Sequence, residues 1–91
     1  MRVKFYATLR QIVDSRTVEL PLVPGGTARD LLTAATSTYP RLAPLVWTGD
    51  GGLRDYIKVF IDGREIAYLA GLDTIVPPDA NVDIFPPVAG G

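Results

Sequence analysis

The residues with the makings of a reagent stand at the end of the chain, Phe85-Pro86-Pro87-Val88-Ala89-Gly90-Gly91. The two prolines follow a run that reads as a strand. They fix φ and donate no ladder hydrogen bond, so the chain must leave the sheet edge in an extended form. Beyond them the side chains shrink until Gly90 and Gly91 have none. An extended segment from Pro86 to Gly91 reaches ~20 Å, at ~3.3–3.6 Å per residue. Such a segment can thread a narrow channel in another protein and deliver a terminal carboxylate to a buried active site. The glycines keep the thread thin and permit backbone angles that a fitted channel demands. A glycine-rich end is also what a frayed terminus looks like. Its place directly after Pro-Pro and the last predicted strand favours the functional reading.

The remaining composition sends chemistry to that end. There is no cysteine, hence no disulfide framework, iron–sulfur cluster, zinc-thiolate site or thiol nucleophile. The absence of histidine removes the usual neutral-pH general base and the commonest metal ligand. Lys4 and Lys58 are the only lysines, and no phosphate-binding G-x-x-x-x-G-K-[ST] loop occurs. Asp50, Asp55, Asp62 and Asp79 are scattered without metal-ligand spacing, so no metal site is expected. A self-sufficient enzyme is not expected, and no cofactor should be bound by the chain itself.

The 91 residues suffice for one domain with a modest core. Hydrophobic residues at 47% and charged residues at 21% describe a globular chain, not a disordered one. Nine basic against ten acidic side chains argue against nucleic-acid binding, which needs a basic face to displace counterions. No apolar run approaches the ~20 residues that cross a bilayer. Met1 leads into Arg2-Val3-Lys4-Phe5 with no signal-peptide pattern, so the expected address is cytoplasmic, away from membranes.

Several elements must position the terminal segment. Arg2 to Leu9 alternates, with Val3, Phe5 and Ala7 on one side and Lys4, Tyr6 and Thr8 on the other, and reads as a strand. Gln11 to Arg16 is polar enough to turn the chain into a second strand over Thr17 to Leu22, which makes a hairpin. Pro21, Pro24 and Gly25-Gly26 break the pairing. Thr27 and Asp30 then form an acidic capping box for a helix over Ala28 to Thr38. Ala28, Leu31, Leu32, Ala35 and Tyr39 lie on one stripe of it, and Pro40 ends it.

Leu42, Leu45, Val46 and Trp47 read as a short turn covering one end of the core, and Thr48 to Gly52 as a mobile loop. Tyr56 to Ile61 is a strand with Ile57, Val59 and Ile61 inward. Asp62-Gly63 is a tight turn, and Arg64 to Tyr68 is a short returning strand. Asn81 to Phe85 closes the sheet, with Val82 and Ile84 inward. One helix on a mixed sheet of four to five strands is an α+β arrangement that fits a β-grasp. The expected division is a domain over residues 1–85 and a flexible tail over residues 86–91.

The outward face carries a second, independent signal. Tyr6, Phe60 and Phe85 fall away from the helix, with Lys4 and Lys58 beside them. Three aromatics on adjacent strands make an apolar patch with a basic fringe at the root of the tail, and such patches mark partner docking. Cross-strand aromatics that only stabilise the sheet are the competing reading.

Three segments resemble the ubiquitin-like sulfur carriers of the MoaD/ThiS family, and within it most the MoaD side. They are Phe5-Tyr6-Ala7-Thr8-Leu9-Arg10, Gly71-Leu72-Asp73-Thr74, and Phe85 through Gly91. The likeness covers nearly the whole chain. The resemblance implies that the Gly91 carboxylate is adenylated by a separate adenylyltransferase similar to ubiquitin-activating enzymes, which brings the ATP and Mg2+. The acyl-adenylate then becomes a thiocarboxylate that a second partner uses as a sulfur donor.

A terminal carboxylate, with a pKa of ~3.3–3.7, is ionised at neutral pH and able to attack the α-phosphate of ATP. As the small subunit of molybdopterin synthase, the chain would enter the large subunit and supply sulfur for the molybdenum or tungsten cofactor. The alternatives are a carrier for cysteine, thiamine or tRNA thiolation, a modifier whose Gly91 is joined to lysines of other proteins, and a plain β-grasp interaction module. Arg10 matches an arginine of the family, a match that a surface or tail-positioning salt bridge explains equally well, and Asp73 is read as stabilising its turn.

Overall fold

The computed structural model describes residues 1–87. Its centre is a mixed five-stranded sheet ordered β2-β1-β5-β3-β4, formed by Arg2–Phe5, Thr17–Glu19, Lys58–Ile61, Arg64–Glu65 and Val82–Phe85 as β1 to β5. The first and last strands lie side by side and parallel, with Val3 beside Val82 and Phe5 beside Ile84. The remaining pairs are antiparallel. This is the β-grasp expected from the order of elements. Because β5 has neighbours on both sides, it ends where the prolines remove the donor a central strand needs.

One face of the sheet is sealed by α2, Ala28–Thr38, whose bounds match the predicted helix. Ala28, Leu31, Leu32 and Ala35 are buried against Val3, Phe5, Val59, Val82 and Ile84 in one continuous core. The capping box is present in full. The Asp30 amide donates to Thr27 Oγ1 at 3.3 Å, and the Thr27 amide donates to Asp30 Oδ2 at 2.9 Å. Thr27→Ala removes the first of these bonds and should destabilise the protein by about 1 kcal/mol, which urea titration would read.

Three local expectations are corrected. The first strand does not run to Leu9: it ends at Phe5, and Ala7–Val13 forms α1. Alternation over Phe5, Ala7 and Leu9 is compatible with a strand. However, Leu9 and Val13, four apart, are both buried, which is a helical stripe. β1 and β2 therefore pair antiparallel as expected, but through a helix instead of a tight turn. The strand after Asp62-Gly63 stops at Glu65, and Ile66–Tyr68 coils into a 3-10 turn that buries Ile66. The tight turn itself is as read, with φ of 50° at Asp62 and 82° at Gly63, the paired left-handed geometry that favours Asp-Gly.

The third correction concerns Thr48 to Gly52, which composition marked as a mobile loop. It is a hydrogen-bonded turn: the Thr48 amide donates to the Gly52 carbonyl at 2.8 Å, and Arg29 Nη1 donates to the Gly51 carbonyl at 3.0 Å. The Thr48 hydroxyl also donates to the Asp50 carboxylate. Pro40–Leu42 and α3, Ala43–Val46, precede this turn and cover one end of the core, as expected. Trp47 packs against that end, its Nε1 donating to Thr36 Oγ1 at 3.1 Å.

Candidate functional site

Tyr6, Phe60 and Phe85 meet on the face of the sheet opposite α2. Strand register explains the meeting: Phe60 pairs with Asp83, and Lys58 with Phe85, so alternate outward positions of β3 and β5 fall side by side. Tyr6 follows the last residue of β1, with its amide donating to the Ile84 carbonyl at 3.2 Å. The Phe85 ring lies between the other two. Tyr6 stacks on it with centroids 4.3 Å apart and planes 11° apart, and Phe60 meets it edge-on at 5.5 Å and 86°. These geometries match the quadrupole preferences of aromatic pairs.

The cluster floors a largely apolar groove that also takes in Ala7, Thr8 and Tyr56 and continues onto Pro86 and Pro87. Pro86 is buried, and Pro87 is exposed. The groove thus sits at the root of the terminal segment. Val88, Ala89, Gly90 and Gly91 lie outside the described residues. The expected basic fringe is corrected to a mixed one. Lys58 lines the groove, but so do Asp55 and Asp83. Lys58 Nζ is held 3.0 Å from the Asp55 carbonyl and 3.8 Å from Glu65. Lys4 borders an adjoining, polar hollow together with Glu19, Asp62 and Asn81, and Tyr6 and Asp83 line both.

Asp83 and Tyr56 complete the site and were not among the sequence candidates. Both were within reach of the strand pattern, since Asp83 shares the outward parity of Phe85 and Tyr56 that of Phe60. The Tyr6 hydroxyl donates to Asp83 Oδ1 at 2.7 Å. That bond raises the Tyr6 phenol above its ordinary pKa, with burial and the Asp83 charge acting in the same direction and the Arg10 charge opposing them. A phenol whose folded pKa is raised contributes stability below its unfolded pKa of ~10 and loses it as pH climbs through the folded value. Stability should therefore fall in that alkaline window more steeply for the parent than for Tyr6→Phe, which denaturant titrations at neutral and alkaline pH would compare.

The other candidates are peripheral. Arg10 is exposed on α1, and Asp73 is exposed at the end of the 3-10 turn Gly71–Asp73. Among the described residues no three carboxylates gather into a metal-holding group, and no helix is long and apolar enough to cross a membrane.

The model of the ThiS family matches residues 3–91. The chain belongs to the ThiS family. Relatives of full length include small archaeal modifier protein 1 of Haloferax volcanii, 33% identical over 91 residues that span all of both chains. Small archaeal modifier protein 3 of the same organism is 31% identical, across all of this chain and 98% of the relative. The crystal structure of Haloferax volcanii small archaeal modifier protein 1 superposes with a TM-score of 0.87 at 32% identity, covering 99% of this chain and 97% of that one. The ubiquitin-like fold and the ThiS/MoaD family expected from the terminal motif are both established. The similar proteins just described are named as modifiers and not as MoaD.

Proposed function

We propose that this ThiS-family chain is a carrier whose Gly91 carboxylate is adenylated by a separate enzyme resembling ubiquitin-activating enzymes, and that it then passes on sulfur as a thiocarboxylate. The carboxylate oxygen attacks the α-phosphorus of ATP and pyrophosphate leaves; hydrosulfide supplied by a partner then displaces AMP from the acyl carbon, loses its proton and leaves the thiocarboxylate. The partner brings the ATP and Mg2+, and the reaction belongs in the cytoplasm, where ATP is available. The observation that carries this reading is the aromatic groove of Tyr6, Phe60 and Phe85 running into Pro86 and Pro87. It supplies a docking surface at the root of the segment that has to be threaded.

A second reading shares the first step. A lysine amine of another protein attacks the same acyl-adenylate, AMP leaves, and an isopeptide bond joins Gly91 to the target. Two full-length relatives named as modifier proteins favour it. Delivery to the large subunit of molybdopterin synthase is a narrower form of the first reading, and delivery to cysteine, thiamine or tRNA thiolation enzymes is its alternative.

Intact mass spectrometry of the protein from its own cells tests these readings. Replacement of one terminal oxygen by sulfur supports the carrier, and glycine remnants on lysines of other proteins support the modifier. Neither signal would leave a plain interaction module. Co-purification with the molybdopterin synthase large subunit checks the narrower assignment.

The docking role makes its own prediction. Phe60→Ser removes apolar area from the groove but not from the core, so the fold should persist. Buried aromatic anchors commonly contribute about 2 kcal/mol or more, so binding to the adenylyltransferase should weaken by about thirtyfold. Isothermal titration calorimetry reads it, and an unchanged Kd would reduce the cluster to a sheet-stabilising role.

A further inference from the structure

Tyr6 does more than line the groove: it holds three consecutive residues at the end of β5. Its amide donates to the Ile84 carbonyl at 3.2 Å, its hydroxyl donates to Asp83 Oδ1 at 2.7 Å, and its ring stacks on Phe85 at 4.3 Å. Tyr6 is itself fixed from the other side. Its carbonyl accepts from the Leu9 and Arg10 amides at 3.1 and 3.4 Å, closing the first turn of α1. The next residue, Ala7, sits at φ 51°, a left-handed conformation that costs an L-residue about 1 kcal/mol or more. The chain accepts that strain at the one point where β1 must turn away and leave the Tyr6 ring on Phe85.

The two residues after Phe85 make this hold consequential. Pro86 and Pro87 have φ fixed at about −65°, so two of the four φ and ψ torsions of these residues, which lead away from the clamped ring, are locked. The orientation of Phe85 is thus handed on stiffly. We propose that Tyr6 is a positioning residue: with its hydroxyl seated on Asp83, it sets the direction in which the C-terminal segment leaves the sheet, and so the rate at which Gly91 is adenylated once the partner has bound. The inference rests on the adenylation reading and goes beyond it. A docking residue alters how tightly the partner is held, whereas a positioning residue alters the productive fraction of the complex already formed. Misplacement of a reacting group by about 1 Å can cost ~100-fold in rate.

The hydroxyl separates the two roles, because Tyr6→Phe keeps the ring that docks and stacks and removes only the bond to Asp83. ATP–pyrophosphate exchange is measured with the adenylyltransferase at varied concentrations of the full chain, for the parent, Y6F, D83A and the double variant, with melting temperatures alongside. Losing a hydrogen bond to a charged acceptor should lower kcat on the order of tenfold with KM within about twofold. Because both partners belong to one bond, the double variant should lose no more than the worse single variant.

A rise in KM at constant kcat overturns the inference, as do losses that multiply in the double variant or that follow the melting temperature. Parent exchange with an unaltered Y6F kcat overturns the inference alone. Absence of exchange with the parent overturns both it and the adenylation reading.

Discussion

Removal of Gly91 should abolish acyl transfer while leaving the fold and its stability unchanged. The carboxylate would then belong to Gly90, one residue short, a retreat of ~3.3–3.6 Å along an extended chain. Adenylation needs the attacking oxygen within about 3–3.5 Å of phosphorus, and errors of about 1 Å already cost ~100-fold. A loss of at least about a thousandfold in ATP–pyrophosphate exchange is therefore expected. No thiocarboxylate and no isopeptide conjugate should form in cells. Among the described residues the buried apolar core runs from Val3 to Ile84 and Pro86 is the last buried residue, so Gly91 is not expected to contribute to stability. The urea midpoint should stay where it was. Exchange that survives the deletion would remove Gly91 from the chemistry altogether.

The opposite separation is expected at Phe5. This ring is 1% exposed, on a strand flanked by β2 and β5 and directly beside Ile84. Phe5→Ala removes the transfer free energy of a buried aromatic and leaves a cavity under α2 that a five-stranded sheet cannot collapse around. The cost should be about 3–5 kcal/mol. Domains of this size hold about 5–15 kcal/mol in total, so the variant should sit near its threshold of folding. Its melting temperature should fall by about 15 °C or more. Any loss of transfer activity should follow the unfolded fraction and recover on cooling toward the temperature of maximum stability. A change below about 1 kcal/mol in denaturant titration would show that the core is far more plastic than its burial implies.

These two predictions divide the molecule as the Tyr6 and Phe60 variants divide the groove. Deleting Gly91 should leave a stable protein without the proposed reacting carboxylate, and replacing Phe5 should leave that carboxylate on a failing support. Phe60→Ser and Tyr6→Phe fall between, one acting on partner affinity and the other on the productive fraction of the complex. The four responses are distinguishable because the proposal gives the body, the groove and the end of the chain separate physical tasks.

Several features were legible in the residues themselves because their causes are local. The Thr27–Asp30 capping box and Pro40 delimit α2, and the apolar spacing from Ala28 to Ala35 names its buried face. The Asp-Gly turn follows from the backbone angles it requires. The zero counts of cysteine and histidine, with Pro-Pro before Gly-Gly, pointed to a chain that is acted upon at its end. Alternation in β3 and β5 placed Phe60 and Phe85 on the outward face.

What tertiary structure alone decided depends on contacts between segments far apart in sequence. The reading of Tyr6 to Leu9 as strand failed, because Leu9 satisfies both periods until the core demands Val13 on the same side. The Thr48 to Gly52 turn is held by its own hydrogen bonds and tied to α2 by Arg29, 22 residues before Gly51, a link that composition cannot register. The Tyr6–Asp83 bond joins residues 77 apart and exists only because β1 and β5 lie parallel at the centre of the sheet. Local chemistry thus wrote α2, the Asp-Gly turn and the proposed reactive end. The sheet order, which is set by burial of the whole core, decided which side chains stand together at the root of that end.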